Sequence, residues 1–148
     1  MQKVIIVNGP NLNLLGKREE NIYGATSFDE VYQELKEFSK KNDIELSYFQ
    51  SNHEGEIVDK IQQSIGDIDF IIINPGALTH YSYSIHDALV ASKIPAVEVH
   101  ISNIFKREDW RSKSVISPAV VGVISGLGIE VYKAALRYVS DYFIKLSK

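Results

Sequence analysis

Cysteine is absent from the 148 residues, so neither a disulfide framework nor a thiolate metal site is available to this chain. Proline and glycine are few and scattered, at 4 and 9, and no low-complexity tract, like-charge block or internal repeat interrupts the chain. The expectation is a single domain spanning residues 1–148, long enough to bury a core without staples. Long hydrophobic runs are also missing. The four apolar residues before Asn8-Gly9-Pro10 are too short for a signal segment, and no run approaches membrane-spanning length. A soluble, cytoplasmic protein is expected. The net charge of −3 gives no general reason to expect nucleic acid. Arginine is scarce, yet three of the four (Arg18, Arg107 and Arg111) fall shortly after expected strand ends. The guanidinium fork suits carboxylates and arrays of hydroxyls, so together they point to a small anionic ligand, although any one alone would read as solvated surface.

What the chain does have is a set of short β-branched runs that stop at polar, turn-forming clusters. Val4–Val7 gives way to Asn8-Gly9-Pro10-Asn11, Phe70–Ile73 to Asn74-Pro75-Gly76, and Ala96–Val99 to His100-Ile101-Ser102-Asn103. Such runs are the mark of parallel strands covered on both faces, and ligands bind outside the carboxyl ends of those strands. Ile44–Phe49 supplies a second strand and Ala119–Ile124, introduced by Pro118, a fifth. Between them lie helical stripes: Phe28, Val31, Leu35 and Phe38 behind a possible Ser27/Glu30 capping box; Ile57, Ile61 and Ile65; Ile85, Ala88 and Leu89; and Ile129, Tyr132, Leu136, Val139 and Phe143. These stripes read as core. Right-handed crossovers then favour an α/β fold, a flavodoxin-like doubly wound five-stranded parallel sheet of order 2-1-3-4-5.

Several polar groups could carry chemistry. Residues 16–24 read as a polar loop bracketed by glycines, the layout of a lid, and contain Tyr23. A phenol titrates near ~10, so a tyrosine acting as a base requires a cation beside it, and Arg18 is the nearest in sequence. Glu98 and His100 alternate on one strand and so share a face, where a carboxylate can fix an imidazole's tautomer and favour the charged form that a general acid requires. The turn at Ile101-Ser102-Asn103 can direct backbone N–H groups at an anion, and Arg107 and Arg111 fall four apart on one face of whatever helical turn follows. His80 lies in the polar segment after the third strand, and His86 and Asp87 lead into a helix. The four histidines lack zinc-type spacing, and no Gly-rich phosphate loop follows any strand, so metal-free chemistry without a cofactor is expected.

In their order and spacing these motifs resemble the type II 3-dehydroquinate dehydratases over nearly the whole chain: residues 8–16, Arg18-Glu19 with Tyr23-Gly24, residues 50–55, residues 73–77 with Thr79-His80, residues 87–89, and residues 98–103 with Arg107 and Arg111. The resemblance implies a hydro-lyase that removes water from 3-dehydroquinate through an enolate, in aromatic amino acid biosynthesis or quinate breakdown. It implies Tyr23 as base, supported by Arg18; Asn11 holding a water against the enolate oxygen; and His100, backed by Glu98 and with Asn74 nearby, as acid. Ile101 and Ser102 would hold the substrate carboxylate, His80 and Arg111 would contact ring hydroxyls, and Gly76 and Ala77 would line the site. Arg107 would add positive field near the lid. Asp87 would reach a neighbouring subunit's site in a dodecamer built from trimers. Two positions depart from the family pattern: Glu20 where proline is common, and Val131 where glycine usually precedes the final-helix tyrosine. Glu20 loosens the lid's unfolded ensemble and sets another carboxylate near Arg18. A flavin carrier or a phospho-acceptor domain could use the same fold, but the first needs hydroxyl-rich residues where Asn8–Asn11 stand, and the second an aspartate where Asn74 stands.

Overall fold

The β-branched runs pair side by side in the computed structural model, which describes residues 1–17, 20–23 and 26–148. Five parallel strands form one sheet in the order β2-β1-β3-β4-β5, where β1 is Gln2–Asn8, β2 Ile44–Gln50, β3 Phe70–Asn74, β4 Ala96–His100 and β5 Gly122–Ser125. A short helix α1 (Glu20–Tyr23) precedes α2 (Phe28–Lys41), and α3 (Glu54–Gln63), α4 (Tyr83–Ser92) and α5 (Glu130–Leu146) follow.

Strand parity distributes the core. Val4, Ile6, Phe70, Ile72, Val97 and Val99 pack with α2 and α5, whereas Ile5, Val7, Ile71, Ile73 and Ala96 pack with α3 and α4. Each fully buried isoleucine here stabilises the fold by roughly 1.5–3 kcal/mol of transfer free energy. The capping box of α2 forms as expected, with Ser27 Oγ accepting from Glu30 N–H and Glu30 accepting from Ser27 N–H. Helix α3 ends before Ile65, which is exposed, so the third member of that stripe is not core.

The fifth strand is shorter than its β-branched run. Ser117–Ala119 turns as a 3-10 helix with Pro118 in its first turn, and pairing begins only at Gly122, opposite Val97. Proline's fixed φ suits that turn, which explains why the run from Ala119 does not pair throughout. Part of the lid region is helical rather than loop, since α1 carries Tyr23. Arg18 and Gly24 lie outside the described residues. Among the described residues no helix is long and apolar enough to cross a membrane.

Candidate active site

The carboxyl ends of β1, β3 and β4 converge on one cleft, with a volume of about 90 Å³. The β1 and β3 ends are locked together: Gly9 N–H donates to Asn74 O at 2.8 Å, and a Cβ on Gly9 would stand 2.4 Å from Pro75 O, a separation only glycine permits. Asn11 adopts left-handed backbone (φ 69°), which asparagine tolerates better than most residues, and its N–H donates to Asn52 Oδ1 at 3.0 Å. Gln50 Nε2 braces the same loop by donating to Gly9 O.

Eleven of the fourteen residues singled out from the sequence line this cleft: Asn11, Tyr23, Asn74, Gly76, Ala77, His80, His100, Ile101, Ser102, Arg107 and Arg111. Glu98 lies behind His100, Asp87 lies on α4 away from the cleft lining, and Arg18 is outside the described residues. Arg107 and Arg111 do not share one helical turn. Arg107 ends the 3-10 helix Ile104–Lys106, and Arg111 lies in a second one, Asp109–Ser112, which breaks the expected i, i+4 relation while keeping both cations on the cleft.

Glu98 is fully buried and accepts hydrogen bonds from Thr79 Oγ1 (2.7 Å), Ser114 Oγ (2.9 Å) and Ser117 Oγ (3.0 Å), and it contacts His100 Nε2. Burial pushes its carboxyl upward, but the His100 contact and the hydroxyl donors outweigh that and hold it below the usual carboxylate range. A carboxylate accepts only, so Nε2 carries the hydrogen it shares and Nδ1 of His100 is the other ring nitrogen left for the cleft. The serine pair is tied in place because Ser114 Oγ also accepts from the N–H groups of Ile116 and Ser117.

Tyr23 meets a cation that the sequence did not single out for it. Arg107 Nη1 donates to its phenol oxygen at 2.7 Å and to Ser102 Oγ at 3.2 Å, with the guanidinium carbon 5.2 Å from the ring centroid. His80 is held by Nδ1 donating to Lys113 O at 2.7 Å, which leaves Nε2 as an acceptor. Burial, with His100 and Arg111 adding to it, pulls the His80 pKa below its ordinary value, so the ring stays neutral near pH 7. Trp110 packs edge-on against His80 at 5.2 Å and lies 4.0 Å from the Arg111 guanidinium carbon, while Glu108 pairs with Arg111. Beneath the floor, Tyr132 OH donates to Asn8 Oδ1 and accepts from Asn74 Nδ2.

The sequence reading missed Ser114, Ser117, Trp110 and the contact between Tyr132 and the two asparagines. Ser114 and Ser117 follow Glu98 by 16 and 19 residues, so no local periodicity points to them. Asn8 and Asn74 did carry a signal, since each ends a buried run and the two are register partners. Among the described residues no group of three His, Asp or Glu side chains is placed to hold a metal ion.

The family model described as dehydroquinase class II matches residues 2–140. A protein of Caldicellulosiruptor bescii named 3-dehydroquinate dehydratase is 57% identical over 137 residues, 92% of this chain and 94% of that one. A type II dehydroquinase structure from Butyrivibrio crossotus superposes with a TM-score of 0.90 at 47% identity, covering 93% of this chain and 97% of the other. Another, from Propionibacterium acnes, does so with 0.91 at 39% identity, covering 95% and 97%.

Proposed function

Because the chain belongs to the class II dehydroquinase family, a family of hydro-lyases, we propose that it removes water from 3-dehydroquinate to give 3-dehydroshikimate, without metal or cofactor. The observation that carries this reading is one cleft lined by both Tyr23, hydrogen-bonded by Arg107, and His100, backed by buried Glu98.

Elimination begins when the Tyr23 phenolate takes a proton from the carbon beside the ketone, and the electron pair moves into an enolate. Arg107, which donates to the phenol oxygen, stabilises the phenolate, and Arg18 joins it from the lid. Asn11 holds a water against the enolate oxygen. The enolate then expels the hydroxyl from the next ring carbon, which leaves as water after taking a proton from His100; Glu98 orients the imidazole and stabilises its charged form. Asn74 assists at the same end. Ile101 and Ser102 receive the substrate carboxylate, and Gly76 and Ala77 line the ring pocket. The Nε2 acceptor of His80 and the guanidinium of Arg111 take ring hydroxyls. Asp87 serves a neighbour's cleft in a dodecamer built from four trimers, a role consistent with its absence from the lining of its own. The enzyme acts in the cytoplasm, in aromatic amino acid biosynthesis or quinate breakdown.

The test is absorbance of the conjugated enone when chelator-treated protein meets 3-dehydroquinate. Steady growth of that band supports the reading, and none at micromolar enzyme sinks it.

A further inference from the structure

Asn8 and Asn74 end two adjacent parallel strands and are paired in register. Strand parity directs both side chains to the α5 side of the sheet, where Tyr132 reaches them from the helix. All three residues are almost completely buried, at 0%, 3% and 0% exposure respectively. The direction of each hydrogen bond follows from one backbone group. Gly76 N–H can only donate, so the atom of Asn74 that meets it at 3.2 Å is the carbonyl oxygen Oδ1. Nδ2 of Asn74 therefore faces Tyr132, whose oxygen accepts at 3.0 Å. The single phenol proton then goes to Asn8 Oδ1, at 2.7 Å. Burial pushes the Tyr132 phenol far above its ordinary value, so that proton stays in place.

An amide nitrogen carries two hydrogens. Tyr132 takes one, and the other is available to the cleft that Asn74 lines. Without the phenol, Asn8 Oδ1 on the paired strand loses its own donor while Asn74 Nδ2 loses its acceptor, and the carboxamide would turn toward that register neighbour. We propose that Tyr132 is a positioning residue for the dehydration: its hydroxyl is a wedge that keeps the two asparagines from pairing directly and aims the second amide N–H of Asn74 into the cleft. It acts only through Asn74, which stands between it and any ligand. The kinetic readout rests on the dehydratase reading above, whereas the structural one does not.

Tyr132→Phe removes the oxygen and keeps the ring that packs edge-on against Phe28 at 5.1 Å. It is expected to lower kcat for 3-dehydroquinate about tenfold, the scale of one well-placed hydrogen bond in a transition state, with KM changed less than about twofold. In an Asn74→Ala background the same substitution is expected to change kcat less than about twofold, because the residue it acts through is gone. An equal loss in both backgrounds, or none in either, overturns the proposal. A crystal structure of Tyr132→Phe is expected to show the Asn74 carboxamide turned toward Asn8 and away from Gly76 N–H; an unmoved carboxamide overturns the proposal. If the wild-type chain does not turn over 3-dehydroquinate, the dehydratase reading fails and the crystal structure alone decides the role of Tyr132.

Discussion

Tyr23→Phe and His100→Ala are each expected to lower turnover by at least two orders of magnitude, the scale of general acid–base catalysis, while thermal unfolding stays close to wild type. Near-normal turnover in either variant would remove that residue from the mechanism. Glu98 adds a pH signature. Its carboxyl lies below the ordinary value of 4.5 in the folded state, so its contribution to stability is fully present above about 4.5 and is lost as pH falls through the folded value. Urea unfolding measured against pH should therefore show an acid limb that Glu98→Gln flattens; an unchanged limb would mean that the hydroxyl cluster does not stabilise the ionised form. At this scale legibility depended on sequence distance. The Glu98–His100 pair follows from strand alternation alone, whereas Thr79, Ser114 and Ser117 reach Glu98 from two other segments and leave no periodic trace. Arg18 is the arginine nearest Tyr23 in the chain, and proximity in sequence could not point to Arg107, 84 residues away, which donates to the phenol.

Among the elements, the two consecutive 3-10 turns after β4 are what bring charge to the cleft. The segment 104–112 carries Arg107 to Tyr23 and Ser102, and Arg111 to Trp110 and Glu108. Arg107→Ala is expected to lower kcat/KM at least tenfold, whereas Arg137→Ala on the exposed face of α5 should leave it within twofold. Equal, small effects would reduce Arg107 to surface charge. The spacing of Arg107 and Arg111 suggested one helical turn, and the break between them came from backbone geometry that residue spacing does not encode. Similarly, the length of β5 was overread because Val120 and Val121 look like strand, although the turn at Ser117–Ala119 delays pairing until Gly122. Helix α2 shows the opposite case: its capping box and apolar stripe are both local, and both form where the residues place them.

For the molecule as a whole, the strand order was legible because five buried runs separated by helical stripes leave few right-handed arrangements. Association is less local. The edge strand β5 carries exposed Val123, flanked by exposed Val121 and Leu127, and α4 exposes Tyr83 and Val90. Unprotected edges and exposed apolar side chains of this kind favour association. Light scattering on the purified protein should give a mass above that of three chains. A fully active monomer would contradict both the assembly and the role given to Asp87.

Trp110 is the only tryptophan in the chain, and it lies edge-on to His80 and beside Arg111, two residues that line the cleft. Fluorescence excited selectively in the indole band therefore comes from a side chain in contact with two residues of the cleft wall, and the protein carries an intrinsic optical probe beside its site. A charged imidazolium quenches a neighbouring indole more strongly than the neutral ring does, so acid titration should dim the emission as His80 takes up its proton. Because burial holds the His80 pKa below 6.5, the midpoint should fall on the acid side of that value, and His80→Gln should abolish the step. A midpoint above 6.5 would overturn the role given to burial, and one above 7 would show a ring charged in neutral solution, whose Nε2 could donate to a hydroxyl but not accept from one.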